Sequence, residues 1–110
     1  VALDGSAGST RALEAAAVMA REYDLPTLHA LAVAEPGPRF AATVGEVDEV
    51  KREKDSFFAG VAQHAREQAE ASGVELEVDV RAGHAAELIT RYARGRDADL
   101  VVVGPVMIVK

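Results

Sequence analysis

Leu13, Ala16, Ala17 and Ala20 fall at i, i+3, i+4 and i+7 behind a turn-rich stretch, Asp4-Gly5-Ser6-Ala7-Gly8-Ser9. That spacing puts four apolar side chains on one face of a helix, with Ser6 or Ser9 placed to cap its first turn. Leu25-Pro26 is expected to stop the helix, since the residue before a proline is driven out of the helical region. Thr27 to Ala34 (TLHALAVA) is a mostly apolar run of strand length and reads as a largely buried strand, closed by Glu35-Pro36-Gly37-Pro38. From about Val44 to Ser72 the spacing is helical again. Val47, Val50, Phe57 or Phe58, Val61, Ala65 and Ala69 make one stripe, Asp48 and Arg52 pair at i+4 on the outer side, and Gly73 is placed to end the helix. Val74 to Arg81 then alternates apolar and charged residues without a fault, which predicts a strand with one buried face and one charged face that protects a sheet edge. A third helix is expected after Gly83-His84, with Leu88, Ile89, Tyr92 and Ala93 inward and Arg94 and Arg96 near the negative end of its dipole.

Asp97-Ala98-Asp99 leads into Leu100 to Val103, a fourth apolar run of strand type. Strands and helices thus alternate regularly, which implies an α/β domain with a parallel sheet and helices on both faces. No internal repeat or low-complexity segment interrupts residues 1–110, so they are read as a single domain, with Glu35 to Thr43 as a strand-to-helix connection. At the start, Val1-Ala2-Leu3 is shorter than a typical strand of about 5 residues, so the natural chain is expected to extend upstream.

The end of the chain breaks the pattern. Val101 to Val103 and Val106 to Val109 are separated only by Gly104-Pro105. Parallel neighbours need a crossover of roughly a dozen residues, and Gly-Pro is a poor two-residue hairpin because proline fixes φ near −65°. A loop and helix missing between Gly104 and Pro105 explains this better than a true deletion, which would leave two apolar segments with no connection able to fold.

Composition narrows the function. Aromatic residues make up only 5% of a chain that is 49% hydrophobic, so packing must rest on small side chains and close backbones. A net charge of −6 and a pI near 5.0 speak against nucleic acid as a partner, because phosphate neutralisation needs clustered Lys and Arg. Cysteine is absent, which removes disulfides, thiolate metal sites and cysteine nucleophiles, and fits a cytoplasmic protein. No apolar run is long enough for a membrane span, so no membrane association is expected.

Four stretches taken in order, VALDGSAGSTRALEAAAVMA, LHALAVAEP, VRAGHAAELITRYARGRDADLVVVG and PVMIVK, resemble the universal stress protein family over essentially the whole chain. The resemblance implies an open, Rossmann-like sheet of five parallel strands in the order 3-2-1-4-5. It also implies homodimerisation through the last strand, Val106 to Val109, and for one group of members the binding of ATP, with Mg²⁺ as its companion. Nucleotide binders carry a glycine-rich pattern from the end of strand four. Here Gly104 matches its first glycine and Pro105 comes at once, so the rest of the pattern is absent as written.

By the same resemblance, Ala2, Leu3 and Asp4 border the adenosine and Asp4 hydrogen-bonds to it, Val33 flanks the adenine, and Val103 and Gly104 approach the ribose and phosphates. Ligands in such sheets bind beyond the carboxyl ends of the strands where the order reverses, here between strands one and four. The plainer alternative is that Asp4 only orders its turn and Val33 is core.

The remaining polar residues offer little chemistry. Gly5 to Thr10 lacks the lysine of a phosphate loop and reads as helix capping with weak anion affinity. His29 is expected to be a strand residue with its ring hydrogen-bonded, His64 a partly exposed helix residue, and His84 the start of the third helix. None has a partner at metal-ligand spacing. The serines lack a nucleophile-elbow context, and Glu46 to Glu49 is interleaved with apolar residues as on a solvated helix face. No catalytic residue and no metal site is assigned. Three functions remain: a non-catalytic ATP-binding homodimer, a dimeric interaction module that binds no nucleotide, and, last, a slow ATP-hydrolysing enzyme.

Overall fold

The computed structural model of the chain describes residues 1–34 and 44–104, with side chains except at 44–51 and 54. In chain order the elements are β1 (Ala2–Leu3), α1 (Ala7–Glu22), β2 (Thr27–Ala34), α2 (Val44–Ala71), β3 (Glu75–Ala82) and α3 (Ala85–Gly95). The strands form one parallel sheet in the order β1-β2-β3, with Ala2 beside Leu31 and Leu3 beside Ala32, and with β2 and β3 in register from Thr27–Glu75 to Ala34–Ala82. At the other edge of β1, Ala2 N donates to Val102 O at 3.0 Å, so the apolar run after α3 returns beside the first strand. That run is not a regular strand among the described residues. The expected last strand, the Gly104-Pro105 junction, and the side chains of Val47, Val50 and Asp48 lie outside the described residues.

Side-chain alternation along β2 divides the sheet into two faces. Ala30 and Ala32 cluster with Leu3, Leu13 and Ala65 on the face covered by α1 and α2, and Leu28, Phe58, Val61, Leu76 and Val78 pack around them. His29, Leu31 and Val33 point the other way, where they line cavities shared with α3. The stripe expected on α1 is buried throughout, with Ser9 and Ala12 added to Leu13, Ala16, Ala17 and Ala20. On α2 the stripe runs through Ala62, Ala65 and Ala69, and of the two adjacent phenylalanines Phe58 turns inward while Phe57 stays 55% exposed. On α3 the residues expected to face inward, Leu88, Ile89, Tyr92 and Ala93, do so but are only half-buried, and no residue of the helix is fully covered.

Each helix ends in the same hydrogen-bonded device. After α2, Gly73 takes φ +77°, its N–H donates to Glu70 O, and Val74 N–H donates to Ala69 O. These bonds satisfy carbonyls that the helix itself leaves open. Asp24 at φ 53° and Asp97 at φ 50° play the same part after α1 and α3. So α1 is stopped at Glu22 by the left-handed Asp24, and not by Leu25-Pro26, which comes after the backbone has already turned.

His84 starts α3 as expected: it occupies the N-cap and its carbonyl accepts from Leu88 N at 3.0 Å, while its side chain makes no capping bond. The ring hydrogen bond expected of His29 is not made at Nδ1, which lies 3.0 Å from Glu77 Oε2 in an orientation that forms none. The charged face of β3 also does more than guard an edge. Arg96 reaches Asp79 at 3.6 Å and Glu77 at 3.9 Å, and Arg81 and Arg96 both lie over the Tyr92 ring, tying the end of α3 to the sheet. These partly exposed pairs each contribute at most about 1 kcal/mol.

A Cβ at Gly73 would meet no atom within 4 Å, so any cost of a side chain there comes from the backbone alone. Gly73→Ala is therefore expected to lower the unfolding free energy by about 1 kcal/mol, read from the urea midpoint, whereas Asp24→Gly should lower nothing. Equal losses in both variants would contradict this account of the helix ends.

Candidate functional site

All strands being parallel, β1 and β2 release the chain on the same side of the sheet. Beyond Leu3 the backbone turns through Asp4, Gly5 and Ser6 into α1, and Gly5 takes φ +83°, a region that L side chains rarely adopt. Ser6 organises the first turn of α1. Its Oγ accepts from Ser9 N at 3.1 Å, its carbonyl accepts from Ser9 Oγ at 3.0 Å and Thr10 Oγ1 at 3.2 Å, and its N–H donates to Asp4 Oδ1 at 2.9 Å. The expected capping is thus present, with Ser6 as the cap.

Hydrogen bonding from Ser6, hydroxyl first and backbone N–H second, holds the Asp4 carboxyl below its ordinary pKa against the opposing effect of burial. A carboxylate so stabilised contributes to folding above its unfolded pKa, and the contribution is lost as pH falls through the lower folded value. Asp4 is exposed, so solvent screening keeps that contribution small.

A cavity of about 620 Å³ opens beside this turn, and Ala2, Leu3, Asp4, Val33, Val103 and Gly104 all line it. Those six residues are the ones the family resemblance implies, and the space they line has a size usual for small-ligand sites. The structure adds Ser6, Gly8 and Ser9 from the turn, and Ala85, Ala86 and Ile89 from the first turns of α3. The α3 residues were missed, although one signal pointed to them. A helix that comes after a parallel strand starts at that strand's carboxyl end, so α3 had to begin on the side where the ligand crevice lies.

Gly104 closes the cavity by contact between backbones. A Cβ built on it would lie 2.8 Å from Gly8 C, 3.0 Å from Gly8 O and 3.1 Å from Ser9 N. Only a residue without a side chain lets the run after α3 come this close to the start of α1. Asp4 is the one charged side chain in the lining among the described residues.

A second cavity, of about 400 Å³, lies between α1 and α2 behind the same turn and is mostly apolar, with Leu3 and Ser9 in both linings. His64 borders it and is exposed. Among the described residues no three His, Asp or Glu side chains come together as a metal site would require, and no helix is long and apolar enough to cross a membrane.

Comparison with known proteins gives a consistent picture. A profile of the universal stress protein family matches residues 1–106. The chain is 32% identical over 111 residues to the universal stress protein YxiE of Bacillus subtilis (strain 168), covering 94% of this chain and 75% of that one. It is also similar to the crystal structure of a protein from the universal stress protein family from Burkholderia pseudomallei. There the TM-score is 0.75 at 26% identity, covering 96% of this chain and 78% of the other.

Because a methyl group at position 104 would press on α1 backbone, Gly104→Ala is expected to cost about 1–3 kcal/mol, the usual range for overpacking. Thermal denaturation checks this, and an unchanged midpoint would mean that Gly104 does not rest on α1 in solution.

Proposed function

The chain belongs to the universal stress protein family, and on that footing we propose that it is a non-catalytic adenine-nucleotide-binding member, a cytoplasmic homodimer acting in a stress response. The complete sheet is then five-stranded in the order 3-2-1-4-5, with residues 106–109 as the outer strand and the dimer contact. The observation that supports nucleotide binding is the convergence of Asp4, Val33, Val103 and Gly104 on one cavity of about 620 Å³.

These residues fit the nucleoside end of the ligand. Val33 and Ile89 offer apolar surface to a base, and the Asp4 carboxylate accepts hydrogen bonds from sugar hydroxyls or other donors. Gly104 lets backbone come near the ligand without a side chain intervening. The phosphates find less. No Lys or Arg lines the cavity among the described residues, and Asp4 repels anions, so the phosphates would lie toward Gly104 and the chain beyond it. Mg²⁺, when bound with the nucleotide, would supply the missing positive charge. We assign no catalytic residue, and ATP hydrolysis stays the last of the three readings.

The lack of a cation in the lining among the described residues also favours a second reading, a dimeric interaction module that binds no nucleotide. Calorimetric titration with ATP and with adenosine, alongside thermal shift, separates the two. Binding of either ligand with a raised melting temperature is expected, since a ligand that binds only the native state stabilises it. Asp4→Ala should then weaken binding about 10-fold or more, as loss of a hydrogen bond to a charged group does. Heat and melting temperature both unmoved by either ligand would remove nucleotide binding and leave the interaction module.

A further inference from the structure

Phe57 is the exposed member of an aromatic pair on α2. Its ring meets Phe58 edge-on, with centroids 5.1 Å apart and planes at 86°. Phe58 packs against the core, whereas Phe57 remains 55% exposed, so core burial does not explain its position. What it touches is the turn after β1. A Cβ built on Gly5 would lie 2.9 Å from Phe57 Cζ and 3.1 Å from Val61 Cγ2, so α2 rests directly on the bare backbone of this residue.

Gly5 stands between Asp4 and Ser6, which line the larger cavity, while Gly5 itself lines the cavity between α1 and α2. The turn is therefore a wall one chain thick, with the ligand space on one side and the Phe57 ring on the other. We propose that Phe57 is a positioning residue of the ligand cavity, acting through Gly5 to hold the Asp4–Ser6 turn in its binding geometry. The proposal rests on the nucleotide reading for the identity of the ligand, and on the observed packing alone for the positioning itself.

Without the ring, Gly5 has lost part of its backing, and a glycine at φ +83° has wide freedom to leave that conformation. The 2.9 Å bond from Ser6 N to Asp4 Oδ1 then loosens. Coupling of this kind is also reciprocal: if α2 packing favours binding, a bound ligand strengthens α2 packing by the same factor.

The test compares the wild-type chain with Phe57→Ala and Phe57→Leu, using two readouts. One is the titration of the Asp4 carboxyl monitored by NMR, which a simple loss of stability does not move. Its midpoint is expected to rise toward the ordinary carboxylate value in Phe57→Ala and to stay low in Phe57→Leu, which keeps an apolar contact on Gly5. The other is calorimetry with ATP, where the dissociation constant should rise about 5-fold or more in Phe57→Ala, the lower end of usual coupling strengths. An Asp4 midpoint identical in all three proteins overturns the proposal, whatever happens to the melting temperature. Absence of ATP binding by the wild type removes the nucleotide reading instead, and the Asp4 titration still decides whether Phe57 positions the turn.

Discussion

Alanine sets the distance between helices and sheet in this protein, and the site depends on that distance. Ala12, Ala16, Ala17 and Ala20 on α1 and Ala30 and Ala32 on β2 are almost completely buried. Side chains this short bring the α1 backbone down onto the strands and gain their dispersion energy from many close contacts rather than from a few large groups. The same approach carries the start of α1 to the ends of the strands, where Gly8 meets Gly104 with no room for a Cβ between them. A larger residue on either surface would lift α1 and open the cavity wall that its first turn supplies.

The turn from β1 into α1 is consequently used twice. Locally it is a capping structure, in which Ser6 satisfies the N–H of Ser9 and its own N–H is satisfied by Asp4. On the larger scale it separates two cavities, and Phe57 and Val61 pack against Gly5 from the α2 side. Asp4 belongs to both roles. The hydrogen bonds that order the turn also lower the pKa of its carboxyl, so the position and basicity of the carboxylate offered to a ligand depend on the local fold.

Much of this fold was legible in the sequence because the informative signals were local. The alternation of Val74 to Arg81, the strand TLHALAVA and the helical stripe from Leu13 to Ala20 correspond closely to β3, β2 and α1. Resemblance to the family named the six residues that line one cavity, which spacing alone does not do. Other features depend on tertiary placement and left no mark of their own. The choice of Phe58 over Phe57 as the inward residue depends on how α2 sits on the sheet, since neighbouring positions both lie near the stripe. α1 ends at Glu22 because Asp24 just beyond it adopts the left-handed conformation, which a reading keyed to proline overlooks. Arg96, the partner that Glu77 and Asp79 share, comes from just past the end of α3, and strand alternation says only that those carboxylates point away from the core.

The central claim, an adenine nucleotide held at the turn after β1, is tested most directly by tracking backbone amide NMR shifts of the complete protein as ATP is added. A site at this turn predicts the largest changes at Leu3 to Ser9, at Val33 and at Val103 and Gly104, saturating together. Changes confined to Ser56 to Gln68 on the α2 side, or no saturable change at all, would contradict it.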